Sequence, residues 1–182
     1  LSSRKQYFLQ HFKGIIIRSD QITMEVTKGY LMDYRTSQEH GTTFFYTLPV
    51  AENELFIEYT LFSKSLLSEN NYDHAIAIYI KDVLNLTAYD IVHTEFGVIP
   101  MTDHWFERVN GRIINIGTIG GDTRGATGYT FTNVQKTISR LLERWCQTGT
   151  PYIKNEVISF KHRLYDSILL NVLDEGNYAG HD

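Results

Sequence analysis

The stretch FFYTLPVAENELFIEYTLFS, residues 44–63, decides the fold class. Two runs rich in aromatic and β-branched residues flank the short polar segment AENE, which reads as a β-hairpin. Strand side chains alternate, so Leu55, Ile57, Tyr59 and Leu61 share one face while Glu54, Phe56, Glu58 and Thr60 share the other. Glu58 is the anomaly. Alternation alone puts it on a wet outer face, with the Leu55 face turned inward. Phe56, on the same side, keeps a second reading open. A carboxylate beside aromatic rings in a dry pocket has a raised pKa and can donate a proton.

The pattern outward from the hairpin is mixed. Gln6 to Arg18 reads as a long strand in which Gly14 marks a bend or bulge, and Gly29 to Arg35 as a second strand. The hairpin strands run over Thr43–Val50 and Glu54–Ser63. A helix capped by Asn71 or Asp73 then runs to about Leu84, with Ile76, Tyr79, Ile80 and Val83 at helical spacing. Tyr89 to Met101 returns to strand, and Arg112 to Gly117 is a short strand of buried character. A glycine-rich loop leads into a helix from about Thr127 to Cys146. Phe131, Val134, Ile138, Leu141, Leu142 and Trp145 form its apolar stripe. Beyond Gly149 and Pro151 a last helix, about Asn155 to Leu173, buries Val157, Leu164, Ile168 and Val172. This order predicts an α+β protein: a mostly antiparallel, mixed sheet covered by helices, followed by C-terminal helices. The expected organisation is a sheet domain over 1–110, a strand–loop–helix unit over 111–148 and a C-terminal helix over 149–182.

Composition excludes several functions. The 182 residues are 42% hydrophobic and 21% charged, as in an ordinary globular domain. The formal net charge of -4 argues against general nucleic-acid binding, which needs a basic face. Cys146 is the single cysteine, so no internal disulfide forms and a cytoplasmic compartment fits. No apolar run approaches the ~20 residues that span a bilayer. The seven histidines form no HxxxH or HExxH pattern, His11 and His40 stand isolated, and no metal site is expected. Nucleophile motifs such as GxSxG are absent too. The chain starts at Leu1 without Met, and we expect it to be part of a longer or processed protein.

Three further stretches could carry chemistry. NIGTIGGDTRGATGYTF, residues 115–131, is a strand, a glycine loop and a helix start. Glycines permit close backbone approach, and a helix start offers free N–H groups that suit a phosphate or the polar edge of a cofactor. It is neither a Walker loop nor the usual dinucleotide fingerprint, and a plain strand–helix turn explains it equally well. Glu95 in HTEFGVIPM and Asp33 in YLMDYR are carboxylates in strand patterns, each with an outward-facing edge position as the simplest reading. Lys136, Arg140, Arg144, Lys161 and Arg163 read as solvated helix faces, or as a weak contact with anionic lipid.

Taken in order, QHFKGIIIRSD, YLMDYRTSQEHGTTFFYTLPVAENELFIEYT, EFGVIPM and NIGTIGGDTRGATGYTF resemble the flavin-dependent lycopene cyclases of carotenoid synthesis. The resemblance runs from about Gln6 to Trp145. It implies kinship with the flavoproteins that include geranylgeranyl reductases and p-hydroxybenzoate hydroxylase, and a preceding N-terminal segment bearing GxGxxG for FAD. The cofactor site of this chain would then be incomplete, and the chain alone inactive. Gly117, Thr118, Gly120, Gly121, Thr127, Gly128 and Tyr129 are the residues that would hold the flavin edge and ribityl chain. Related flavoproteins often carry Gly-Asp where this sequence has Gly117-Thr118. The implied reaction protonates a terminal double bond of lycopene and closes a β-ionone ring, with reduced FAD, NAD(P)H as electron source, and no net redox change. By resemblance Glu58 takes the acid/base role with Glu95 as second candidate, and Asp33, Phe44, Tyr46 and Phe56 are the expected substrate-binding residues. Peripheral membrane contact is expected for a cytoplasmic enzyme with so apolar a substrate. The competing expectations are an isoprenoid double-bond reductase of the same flavoprotein group and a non-catalytic carotenoid- or lipid-binding domain.

Overall fold

The computed structural model describes residues 6–153 and 157–175. It is α+β. The chain divides into two compact units, one of residues 9–99 and the other of residues 6–8 with the described residues of 100–175. The elements in chain order are β1 (Tyr7–Arg18), β2 (Tyr30–Asp33), β3 (Thr42–Ala51), β4 (Glu54–Ser63), α1 (Glu69–Asp82), β5 (Asp90–Thr102), β6 (Val109–Asn110), β7 (Ile113–Ile114), α2 (Phe131–Thr148) and α3 (Phe160–Glu175). A single 3-10 turn, Thr118–Gly120, sits between β7 and α2.

In the first unit the hairpin forms as its alternation demands. The sheet order is β2-β3-β4-β1-β5, and β2/β3, β3/β4 and β4/β1 run antiparallel. The Leu55, Ile57, Tyr59 and Leu61 face is fully buried and meets Tyr72, Ile76, Tyr79 and Ile80 of α1. Phe45 stacks on Tyr79 at 3.9 Å and on Tyr59 at 4.9 Å between centroids. Such stacking adds ~0.5–1.5 kcal/mol per pair beyond area burial. The helix starts earlier than the sequence suggests, at Glu69 after Ser68. Neither Asn71 nor Asp73 caps it, because both lie inside the helix; the Asp73 carboxylate pairs with the buried Lys13 ammonium of β1. Gly14 is not a bulge either: β1 and β4 stay in unbroken register from Leu9↔Ser63 to Arg18↔Glu54.

His11 is buried under α1 with both ring nitrogens engaged. Tyr72 Oη lies 2.7 Å from Nδ1 and Ser63 Oγ 2.7 Å from Nε2. Ser63 donates its own proton to the Ser65 carbonyl, so Nε2–H donates to Ser63 and Nδ1 accepts from Tyr72. This is a neutral imidazole, and burial holds its pKa below the usual value. A histidine with a depressed folded pKa contributes its full stability above the unfolded pKa, ~6.5, and loses it as pH falls through the folded value. We predict that urea unfolding between pH 7.5 and 5.5 loses up to about 1.4 kcal/mol per pH unit more in the wild type than in His11→Gln. Equal slopes in the two proteins would remove His11 as the acid-sensitive group.

In the second unit several expectations are corrected. The 112–117 segment yields only the two-residue β7, paired with β6, and Ile113 is 65% exposed rather than buried. The helix expected from Thr127 begins at Phe131, because Gly128 takes φ +69° and breaks the helical path. Its apolar stripe is only partly covered: Val134, Ile138 and Leu141 are half-buried beside the buried Thr137, whereas Phe131 is 77% and Trp145 59% exposed. The cause is Asp122 on the preceding loop: its buried carboxylate accepts from Thr137 Oγ1, and its backbone carbonyl accepts from Asn133 Nδ2. Gly149 closes α2 at φ +71°, as a left-handed cap. α3 begins at Phe160 rather than Asn155, which lies outside the described residues, and it buries Asp166 and Leu170 while Ile168 is exposed.

Candidate active site

The first candidate is the face of the large sheet opposite α1. Its residues form cross-strand rows. Phe12, Thr60 and Phe44 make one, Gly14, Glu58 and Tyr46 the next, and Ile16, Phe56 and Leu48 a third. Phe44 is buried, with its ring in edge-to-face contact with Tyr34, Tyr46 and Phe62 at 5.4 to 5.8 Å. Glu58 thus sits half-buried in the middle of an aromatic surface, not on a wet face. Thr60 Oγ1 donates to Glu58 Oε1 at 2.7 Å. Burial pushes the Glu58 carboxyl above the usual range; the Thr60 hydrogen bond opposes this, and the negative charge of Glu95 adds to it.

Glu95 comes from the edge strand β5. A Cβ built on Gly14 would lie 2.9 Å from Glu95 Cγ and 2.8 Å from the Phe56 ring, so both side chains lean over Gly14, directly opposite Glu58. Glu58, Glu95, Phe56, Tyr46 and Phe44 therefore occupy one face. Asp33 does not join them. Its carboxylate accepts from Tyr79 Oη at 2.7 Å and from Arg35 at 2.6 Å, on the side of α1. Burial raises its pKa, but the Arg35 and Tyr79 hydrogen bonds outweigh that and hold it below the usual value. A separate cleft of about 320 Å³ opens under residues 21–30, lined by Leu55, Val83 and Leu86, and contains no residue of the Glu58 face.

The second candidate is the glycine loop of the other unit. The fully buried Asp122 organises it. Arg108 donates to its carboxylate at 2.6 Å, Thr137 Oγ1 at 2.6 Å and the Gly117 N–H at 2.8 Å. The N–H groups of Gly120, Gly121 and Gly128 also bond inside the loop, so its shape is built in before any ligand binds. A second ion pair, Arg124 with Asp166, ties the loop to α3 at 2.6 Å, and Asp166 also accepts from the Gly125 N–H. Motif reading missed all four charged residues. Asn133 and Thr137, polar residues one turn apart beside an apolar stripe, were the available signal.

Gly117 has φ +69° and open space where a Cβ would stand, with Ile116 and Ile119 exposed beside it. A groove of about 510 Å³ at the start of α2 is lined by Arg124, Thr127, Tyr129, Thr130, Lys136 and His162 among others, and by no carboxylate. Open backbone over Gly117 and donors at a helix start fit the polar, anionic part of a flavin nucleotide. Of the basic helix residues, Arg163 is no simple solvated charge: its guanidinium lies 4.1 Å from the Trp105 ring centroid. Among the described residues no group of His, Cys, Asp and Glu could hold a metal ion, and no helix is long and apolar enough to cross a membrane.

A family model described as "Lycopene cyclase protein" matches residues 1–163. The chain belongs to the lycopene cyclase family. A comparison with curated proteins returned no match. Membership supports a carotenoid cyclase function in general terms, with a carotenoid as substrate. In this lycopene cyclase chain the matched span contains Glu58, Glu95 and the whole glycine loop, and leaves most of α3 outside.

Proposed function

We propose that this chain carries the proton-donating, polyene-binding face of a lycopene cyclase that closes β-ionone rings on linear lycopene ends. The observation that carries the proposal is Glu58, half-buried among aromatic rings with its carboxyl pushed up by burial. A carboxyl whose charged form is disfavoured by burial is suited to act as a general acid. Its proton adds to the terminal C=C bond, and the neighbouring double bond attacks the resulting cation to form the ring C–C bond. Loss of one ring proton then leaves a new C=C bond. One proton enters and one leaves, so no net oxidation or reduction occurs. The faces of Tyr46 and Phe56 stabilise the cation by cation–π attraction, with the buried Phe44 packed against Tyr46, and Glu95 is the second carboxyl group of the site. Asp33, engaged by Arg35 and Tyr79, is left with a structural role.

Gly117, Thr118, Gly120, Gly121, Thr127, Gly128 and Tyr129 would hold part of FAD, with an N-terminal segment of the same protein supplying the rest. Reduced flavin, with NAD(P)H as electron source, would supply negative charge that favours the cationic transition state. A cytoplasmic enzyme in peripheral contact with a membrane suits a lipid-dissolved substrate. The exposed Leu142 and Trp145 of α2 support such a contact.

The test is expression of the complete reading frame in lycopene-accumulating bacteria, with pigments separated by chromatography and mass detection. Products of lycopene's mass carrying one or two rings are expected. Products heavier by pairs of hydrogens would establish a reductase instead. Bound pigment without turnover would establish a carrier.

A further inference from the structure

Glu58 and Glu95 lie on strands that are not neighbours, because β1 runs between β4 and β5. Adjacent strands are about 4.8 Å apart, so these two backbones are separated by roughly twice that. A side chain on the intervening β1 residue would wall one carboxyl from the other. That residue is Gly14, the register partner of Glu58. The space its side chain would fill is taken from one side by Glu95 Cγ, 2.9 Å away, and from the other by Phe56 Cε2, 2.8 Å away. Nothing else in the strand calls for glycine. Gly14 is not among the positive-φ residues, and the β1/β4 register is unbroken around it.

We propose that Gly14 is a positioning residue: its missing side chain lets Glu95 lean over β1 toward Glu58, so that the negative charge of Glu95 helps to hold a proton on Glu58. The proposal rests on the reading of Glu58 as proton donor and adds how the proton is kept there. Two carboxylates sharing a site cannot both ionise cheaply. Once Glu58 has given its proton away, the charge of Glu95 favours its return. Burial alone gives the same direction of shift, and Glu95→Gln separates the two causes, because a side chain at Gly14 would displace the Phe56 ring as well as Glu95.

The other groups that face Glu58 are few. Tyr46 faces it from β3 and Thr60 along β4. On β5, His93 is two residues from Glu95 and shares its face. At the end of the sheet Arg18 and Glu54 pair with each other at 2.6 Å. Of these, Glu95 is the carboxyl group that leans over Gly14.

The experiment is a carboxyl-carbon NMR titration of the chain labelled at glutamate, with the Glu58 signal assigned by its loss in Glu58→Gln. Wild type, Gly14→Ala, Glu95→Gln and the double variant are compared. The midpoint of Glu58 is expected to fall in both single variants, and to fall no further in the double variant than in the lower single. Shifts that add, or a Gly14→Ala protein with a native amide spectrum and an unchanged midpoint, would overturn the proposal. If Gly14→Ala does not fold, Glu95→Gln alone decides, and an unchanged Glu58 midpoint there also overturns it. The titration reads no turnover. Absence of cyclisation would therefore sink the cyclase reading alone, and unshifted midpoints in an active enzyme would sink this one alone.

Discussion

Glu58→Gln is expected to abolish ring formation and to leave the chain folded. Glutamine keeps the volume and an oxygen that can accept from Thr60, so the aromatic rows around it stay packed. What it lacks is the proton. Loss of a positioned general acid costs on the order of 10²–10⁴ in rate, which in a pigment assay reads as unconverted lycopene. Stability moves the other way. A carboxyl whose folded pKa is raised contributes stability that is full below its unfolded pKa and is lost as pH rises through the folded value. At pH 7 the wild type therefore bears a cost for Glu58 that glutamine does not. The variant should match or exceed the wild type in urea midpoint at pH 7, and that advantage should shrink toward pH 4. Near-normal cyclisation by Glu58→Gln would remove Glu58 from the mechanism.

Asp122→Ala has the largest expected effect on stability. The Asp122 carboxylate is fully buried, and the Arg108 side chain paired with it is 9% exposed. Removing the acid leaves a buried guanidinium without its counter-charge and strips acceptors from the Gly117 N–H and Thr137 Oγ1. Breaking a buried pair in this way costs about 3–5 kcal/mol. The glycine turn at 117–121 then loses its central anchor, so fast amide exchange at Gly117 accompanies the fall in urea midpoint. Asp122→Asn keeps an acceptor but not the charge, and should fall between the two. An alanine variant within about 0.5 kcal/mol of wild type would show that the pair does not hold the loop, since surface substitutions have effects of that size.

The two units differ in how much of them was legible in the sequence. The hairpin was legible because a half-buried strand must alternate, and burial alternates from Glu54 to Tyr59 before Thr60 breaks the pattern. Alternation assigns Glu58 to a face but cannot say what surrounds that face. Phe44, Tyr46 and Phe56 hinted at an apolar surface, and only the cross-strand rows bring them together. Gly14 reads as a bend or bulge because a glycine in a strand has several uses, and the side chains that fill the space over it, Phe56 and Glu95, are distant in sequence. In the second unit the apolar stripe of α2 locates Val134, Ile138 and Leu141 on its covered side, but not Thr137 and Asn133, which bond to Asp122 there. A buried carboxylate demands donors wherever they stand, and its main partner, Arg108, lies 14 residues earlier on the far side of β7.

The central claim is that an exchangeable carboxyl proton on the Glu58 face enters the product. The most direct measurement supplies lycopene made in ordinary water to the enzyme in heavy water under flavin-reducing conditions, and weighs the cyclised product. The Glu58 proton exchanges with solvent before each turnover, and one proton leaves the substrate for each one added, so the product should carry one deuterium per ring. A cyclised product of unlabelled mass would contradict proton donation from this face.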